Sequence, residues 1–498
     1  MEMNRKGLRT VKGWVKWFLP FYLFTFLPFA ASSQRVLNLD SCRQMALHNS
    51  KQVSISKLRQ DMAADLRKSA RTKLLPQVNA VGTYQHTNKP ISLLSETMQS
   101  DLSQLGTSFA TGMAESMTKI LIENPKLAAI VAEVGPGLVG ALDAEGQKIV
   151  DAFDTDTRNI FAGTVMFTQP IFMGGSIIAL NKMANINEDM AENAMNARRQ
   201  ATLYSVDQAY WQVVSLCHKK KLAESYLELV KKLDTDVHKM IDEGVATKSD
   251  GLSVDVKVNE AEMTLTKVSD GLVLSRMLLN ERCGLPLDEA VTLEEEMAES
   301  ISVVELAPQL DVERAVENRP ELKMLQNSVD LSKQTTNVLR AGYLPQVALT
   351  GGYAISNPNV FNGFEKKFAG FWQIGVMMRV PIWNWGDTMY KVRASKGATS
   401  IANLELAEAR EMIELQVNQV TFKVDEANKK LTMAQSNIER ANENLRMANL
   451  GFSEGVITPA TVMEAQTAWL QAQSQKIDAE IEVKLSQVDL QKALGVLE

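Results

Sequence analysis

Side chains able to do covalent or acid–base chemistry are few in this chain and far apart. Its four histidines are His48, His86, His218 and His238, and none stands in a pattern that would hold a serine or cysteine nucleophile beside its base. No segment carries the spacing of a zinc site, a phosphate-binding loop or a dinucleotide-binding fingerprint. The three cysteines, Cys42, Cys217 and Cys283, are odd in number and widely separated, so they make no disulfide framework. If Cys217 and Cys283 lie on two arms of a helical hairpin turning near Ala246, they miss each other by about 12 Å at 1.5 Å per residue, too far to bridge. The 24 methionines suit a soft-metal route, but methionine also fills irregular helical seams, and packing is the favoured reading. No catalytic residue, metal site or cofactor is expected, and the chain is not read as an enzyme.

Composition points the same way. The net charge of -6 offers no basic footprint, which argues against a nucleic-acid partner. Arg5, Lys6, Arg9, Lys12 and Lys16 precede an apolar run from Phe18 to Ala31 that is broken by Pro20 and Pro28. That layout is a secretory signal peptide over residues 1–33. Cys42 follows Asp40 and Ser41, which departs from a lipidation motif, and is read as a packing residue at a helix start. No later stretch is read as the run of about 18 apolar residues that a spanning helix needs. A mature chain that enters a membrane must then do so with strands.

An internal repeat organises the rest. LLPQVNAVGTY around Pro76 matches YLPQVALTGGY around Pro345, an offset of 269 that also pairs Ala46 with Ala315 and Asn49 with Asn318. PIFMGG from Pro170 matches PIWNWG from Pro381, an offset of 211 that also pairs Glu243 with Glu454, Gln208 with Gln419 and Gly284 with Gly495. The chain is a tandem duplication, with copies at 34–300 and 301–498 and an inserted loop in the first at 87–157.

Within each copy, residues after LPQV alternate. Val347, Leu349, Gly351, Tyr353 and Ile355 share one face, against Gln346, Ala348, Thr350, Gly352 and Ala354. This is the period of a strand with one apolar face. Similar runs predict strands at about 76–86, 159–169, 345–355 and 371–380, each of about ten residues, the length that crosses an outer membrane when tilted. Elsewhere the apolar period is helical, as in Tyr226, Val230, Leu233, Val237 and Met240. Long helices are predicted at about 176–242 and 386–453, each about 100 Å long, turning at 243–250 and 454–461. In each copy two shorter helices of about the same combined length stack end to end beside the long one.

Four strands cannot close a membrane barrel, because open edges leave backbone groups unpaired in lipid. The LPQV, PI-aromatic-x-x-G and EGV-x-T motifs, at consistent spacing in both copies, make the chain resemble the TolC-like outer-membrane efflux family over nearly its whole mature length. That resemblance implies a mainly α fold with membrane β: a homotrimer with a 12-stranded barrel in outer-membrane lipid, continued by a long α-helical barrel into the periplasm. It implies a passive export duct whose tips meet a periplasmic adaptor tethered to an inner-membrane transporter. The tips would be Gly244, Val245, Ala246 and Thr247, with Gly455, Val456, Ile457 and Thr458. The strand-to-helix turns would be Pro170 with Gly175 and Pro381 with Gly386.

The family also narrows its entrance with acidic rings. Asp250 and Glu464 stand at such positions, although Glu464 reads equally as a solvated helix charge. Thr461 replaces a second acid and Ile457 an expected base, so no salt-bridge latch is expected between them. The insertion contains NPKLAAIVAEVGPGLVGAL and is expected to be partly helical, either capping the exit or decorating a loop. The alternative to a duct is a periplasmic coiled-coil adaptor or a structural outer-membrane protein, but an adaptor has no use for four amphipathic strands.

Overall fold

The computed structural model describes residues 35–89, 94–153, 157–298, 301, 311–359 and 365–497; the expected signal peptide lies outside them. A short strand β1 (Arg35–Leu37) leads into helices α1 (Leu39–Asn49) and α2 (Lys51–Thr72). The two helices break at Ser50, whose extended backbone ends the first while its hydroxyl accepts from the Val53 N–H and caps the second. Strand β2 (Gln77–His86) follows, then three helices in the insertion, α3 (Glu96–Ser103), α4 (Leu105–Glu123) and α5 (Pro125–Phe153). Strand β3 (Asn159–Met173) returns to the long helix α6 (Ser176–Asp242), which turns back as α7 (Lys248–Cys283). Strand β4 (Val291–Leu293) pairs in parallel with β1, a contact without local signal in the sequence.

The second copy runs through α8 (Val312–Asn318), α9 (Pro320–Arg340), β5 (Gln346–Asn357), β6 (Ala369–Arg379), α10 (Asp387–Ser453) and α11 (Pro459–Ala493). Its short helix breaks at Arg319, the repeat partner of Ser50, with Pro320 at the first helical position. Both long helices have 67 residues, about 100 Å at 1.5 Å per residue.

The helical pairs are held by narrow seams. In α10 the buried residues recur every seven, as Val417, Val424, Leu431, Ile438 and Leu445, with Ala427, Ala434, Ala441 and Ala448 three places further on. Helix α11 answers with Ala465, Ala472, Ala479, Ser486 and Ala493 at the same interval. A strict seven-residue repeat under-winds paired helices into a left-handed coil, and alanine lets the axes approach closely. In α6 the same role falls to Tyr226, Val230, Leu233 and Val237, all at most 5% exposed. Where the first repeat's short helices meet, Cys42, Ala46, Tyr210, Leu279, Cys283 and Leu293 form one larger core. All three cysteines are free thiols.

The four long strands form one antiparallel sheet in the order β2-β3-β5-β6. Its register carries Val78, Phe167 and Gly351 across one row, and Ala80, Val165, Tyr353 and Trp372 across another. The apolar halves of the four alternating runs therefore share a face, and Asn79, Thr83, Thr164, Thr350, Gln373 and Arg379 share the other.

Two expectations need correction. Pro170 does not turn the chain: it lies inside β3, which continues to Met173. Strand β2 pairs only as far as Thr168, so beyond it β3 has one bonded neighbour, and the register slips between Pro170 and Phe172. A proline is tolerated where its missing N–H has no ladder partner. Secondly, α5 is by length and composition long and apolar enough to cross a membrane. Leucine, isoleucine, valine and alanine make the helix apolar although Glu133 interrupts the run.

Candidate functional site

Two places in this architecture bear on the expected duct: the sheet, and the paired helical tips at the opposite end of the long helices. At the first tip Gly244 adopts φ 77°, which allows the N–H groups of Val245 and Ala246 to fold back onto the Met240 carbonyl at 2.8 and 3.1 Å. Thr247 and Asp250 then form a capping box. The Thr247 hydroxyl accepts from the Asp250 N–H, and the Asp250 carboxylate accepts from the Thr247 N–H at 3.0 Å and hydroxyl at 2.7 Å. Those bonds, the hydroxyl's first, hold Asp250 below the usual carboxylate range.

The second tip repeats the construction at the offset of 211. Gly455 has φ 71°, and the N–H groups of Val456 and Ile457 return to the Gly451 carbonyl at 2.8 and 3.1 Å. Thr458 caps α11, but Thr461 supplies only a hydroxyl, 3.2 Å away, so this tip lacks a fixed carboxylate. Glu464 is exposed on the next turn.

The tips are not independent. Leu233, Val237 and Val254 from the first hairpin pack with Val462 from the second, and Ile457 and Phe452 close around them. Ile457, at the position where resemblance called for a base, is thus part of an apolar clasp between hairpins. Val245 and Val456 point outward, 70% and 81% exposed. Between the hairpins lies a cleft of about 530 Å³ bordered by Asp236, Glu243, Val245, Asn449 and Gly455.

One charged cluster escaped sequence reasoning. His238 sits between Asp234, one helical turn earlier, and Asp255 across the hairpin, at 3.3 and 3.9 Å. Its Nδ1–H donates to the Asp234 carbonyl at 3.0 Å; that bond first, then the two carboxylates, raises the imidazole pKa above its ordinary 6.5. Asp234 is raised, chiefly by burial. The Asp-x-x-x-His spacing was visible, and placing Asp255 opposite required only the hairpin's register about Ala246.

At the sheet end the long helices start from left-handed residues: Gly174 (φ 62°) and Gly175 (84°) before α6, Trp385 (54°) and Gly386 (82°) before α10. A side chain on Gly174 would meet the Ala341 carbonyl oxygen at 2.6 Å. Pro381 lies two residues beyond the end of β6, in the coil that leads to Gly386. Trp383 and Trp385 stack edge to face, 5.9 Å between ring centres, and stand largely exposed. In outer-membrane barrels, aromatic side chains form girdles where the strands leave lipid for water.

Among the described residues β2 and β6 each have one neighbour, so both outer edges of an amphipathic sheet are open. A model described as outer membrane efflux protein matches residues 126–279 and 312–496. The chain belongs to the outer membrane efflux protein family. As a member it is an outer-membrane protein that extends into the periplasm. It is 22% identical over 349 residues to the outer membrane protein TolC of Vibrio cholerae, covering 68% of this chain and 77% of that one. It is also similar to the alkaline protease secretion protein AprF of Pseudomonas aeruginosa, at 19% over 417 residues, 78% and 85% of the two chains. Among solved structures, the outer membrane protein VceC of Vibrio cholerae superposes with a TM-score of 0.70 at 14% identity over 92% of this chain and 96% of that one.

Proposed function

We propose that this efflux protein is the passive outer-membrane duct of a tripartite efflux or secretion system, working as a homotrimer whose three sheets close a 12-stranded barrel. The observation that carries the reading is the sheet itself. It has one largely apolar face, polar only near its ends at His86, Asn159 and Gln169, and two edges open among the described residues, which lipid penalises by several kcal/mol per unsatisfied group. Copies of the chain satisfy β2 with the β6 of a neighbour, so the apolar face meets lipid and the face of Asn79, Thr164, Gln373 and Arg379 lines water. The helices, about 100 Å long, continue the lumen into the periplasm.

The tips are the proposed contact for a periplasmic adaptor bound to an inner-membrane transporter. Gly244, Val245, Ala246 and Thr247, with Gly455, Val456, Ile457 and Thr458, form the two turns; Val245 and Gly455 border the cleft between hairpins, and the exposed Val245 and Val456 are the apolar contacts offered to the adaptor. Asp250 and Glu464, with Thr461, face the proposed entrance. Opening separates the clasp made by Ile457, Phe452 and Val237. The reading as a periplasmic adaptor is not favoured, because the sheet with open edges and an apolar face is useless in water.

The test is reconstitution. Mature protein in detergent should have the mass of three chains and should give ion conductance in planar bilayers. Photocrosslinkers at Val245 and Val456 should capture a periplasmic protein with a helical hairpin. A monomer that leaves bilayers insulating would end this proposal.

A further inference from the structure

Helices α4 and α5 form a hairpin between β2 and β3. Asp143 fastens its base, accepting from the N–H groups of Gly106 and Thr107 at 2.6 and 3.0 Å and from the Thr107 hydroxyl at 2.8 Å. Gly106 lets α4 touch α5, where a methyl would fall 2.2 Å from the Val139 carbonyl oxygen, and Gly146 does the same for α5 against Leu102 of α3. The two helices thus satisfy one another along one side. A second side does not close. Phe109 and Met113 of α4 and Ile130, Val134 and Leu138 of α5 line an apolar groove of about 260 Å³, and all five are 37–60% exposed. These residues recur every three or four places on each helix, whereas Glu115, Lys119 and Glu133 fall on the backs. A contiguous apolar face of this kind needs a partner.

We propose that the occupant is the same groove of the neighbouring copies, so that three hairpins meet as a helical bundle over the barrel exit. This deepens the trimeric duct reading and rests on it. Strand β2 is an edge strand, so each hairpin springs from a seam between copies, at the end of the sheet opposite the Gly174–Gly175 turn. Every copy then carries one groove at the same height about the same axis. The hairpin's charge argues against a lipid surface instead. Residues 94–153 hold eight acids against three lysines, whereas helices that lie on anionic bilayers are rich in Lys and Arg. The apolar stripe of α5 gives way to the Glu145–Lys148 ion pair near the base, so burial is concentrated towards the hairpin tip. The bundle closes the exit as a lid rather than lining the barrel wall.

The test uses full-length protein in outer-membrane vesicles. Val134→Cys and Ile130→Cys should each oxidise to disulfide-linked dimers, while Glu115→Cys on the back of α4 should not; native Cys42 and Cys283 are buried and Cys217 partly so. Val134→Glu should leave the trimeric mass unchanged and raise single-channel conductance several-fold. Trimeric mass without crosslinking at either position would overturn the lid and leave the duct standing. So would quenching of a fluorophore on Val134→Cys by brominated lipid, which would put the hairpin in the bilayer. A monomeric mass would overturn both readings.

Discussion

The side-chain amide of Asn49 donates to the carbonyl of Cys283 at 2.9 Å, so one short helix caps the end of the other that stacks on it. In the second repeat Arg319 takes the part, donating through Nη1 to the Ala493 carbonyl at 3.2 Å. Each junction also depends on a left-handed glycine, Gly284 or Gly495. A methyl on Gly284 would lie 2.4 Å from the Asn49 Cβ, and one on Gly495 would lie 2.9 Å from backbone atoms of Asn318 and Arg319. Gly284→Ala is expected to be the worse of the two, because the approach is closer and the Asn49 Cβ, fixed to its backbone, cannot swing away. Each should cost at least about 1 kcal/mol from the positive φ alone, read as a lower unfolding midpoint in detergent; equal stability of both variants with wild type would refute the stacking account.

Arg43 grips Asp207 with two bonds, Nε to Oδ1 at 2.8 Å and Nη2 to Oδ2 at 2.7 Å, joining α1 to α6. Burial raises the Asp207 pKa in spite of the guanidinium, which works in the other direction. Arg43→Ala strands a carboxylate whose side chain is 0% exposed, and should destabilise the protein by about 3–5 kcal/mol. Adding Asp207→Leu should recover most of the loss. A single variant that melts like wild type would show that the pair is dispensable.

On β6, Val376 and Gln373 stand on opposite faces of the sheet. Val376→Lys should cost about 2–4 kcal/mol near the bilayer midplane and reduce folding into vesicles, followed by the shift in gel mobility on heating. Gln373→Lys should fold normally and change ion selectivity. The reverse pattern would mean that the faces are assigned backwards.

Two groups at the first tip respond to pH with opposite sign. His238 is raised above 6.5, so its contribution to the hairpin is complete below the unfolded pKa and disappears as pH rises through the folded one. Asp250 is lowered from 3.8, so its contribution is complete above the unfolded pKa and disappears as pH falls through the folded one. Thr247→Val should bring the Asp250 titration back up, and Asp255→Asn should bring the His238 titration down, both followed by NMR of labelled side chains. Unmoved titrations would show that these neighbours do not set the values.

Much of this fold is written in periodicities. The strands declare themselves by a period of two and the long helices by apolar steps of three and four that continue far beyond globular length. The repeat lets each copy check the other, as with Gly244 and Gly455. What escaped depends on partners distant in the chain. Pro170 sits in a strand because β2 stops pairing at Thr168, which no local pattern reveals. Ile457 looks like a surface replacement until the second hairpin packs on the first. The Thr247–Asp250 box, by contrast, was legible as T-x-x-D before an apolar run and explains why Asp250 is only partly free to line an entrance.

A chain that leaves both sheet margins unfilled has a genetic signature as well as a structural one. In the proposed ring, damage to β6 is handed on to whichever subunit should have paired with it, so intact siblings inherit the fault. Defective alleles at either margin should therefore act dominantly when co-expressed with the normal gene, whereas lesions that prevent a subunit from joining the ring at all should be recessive.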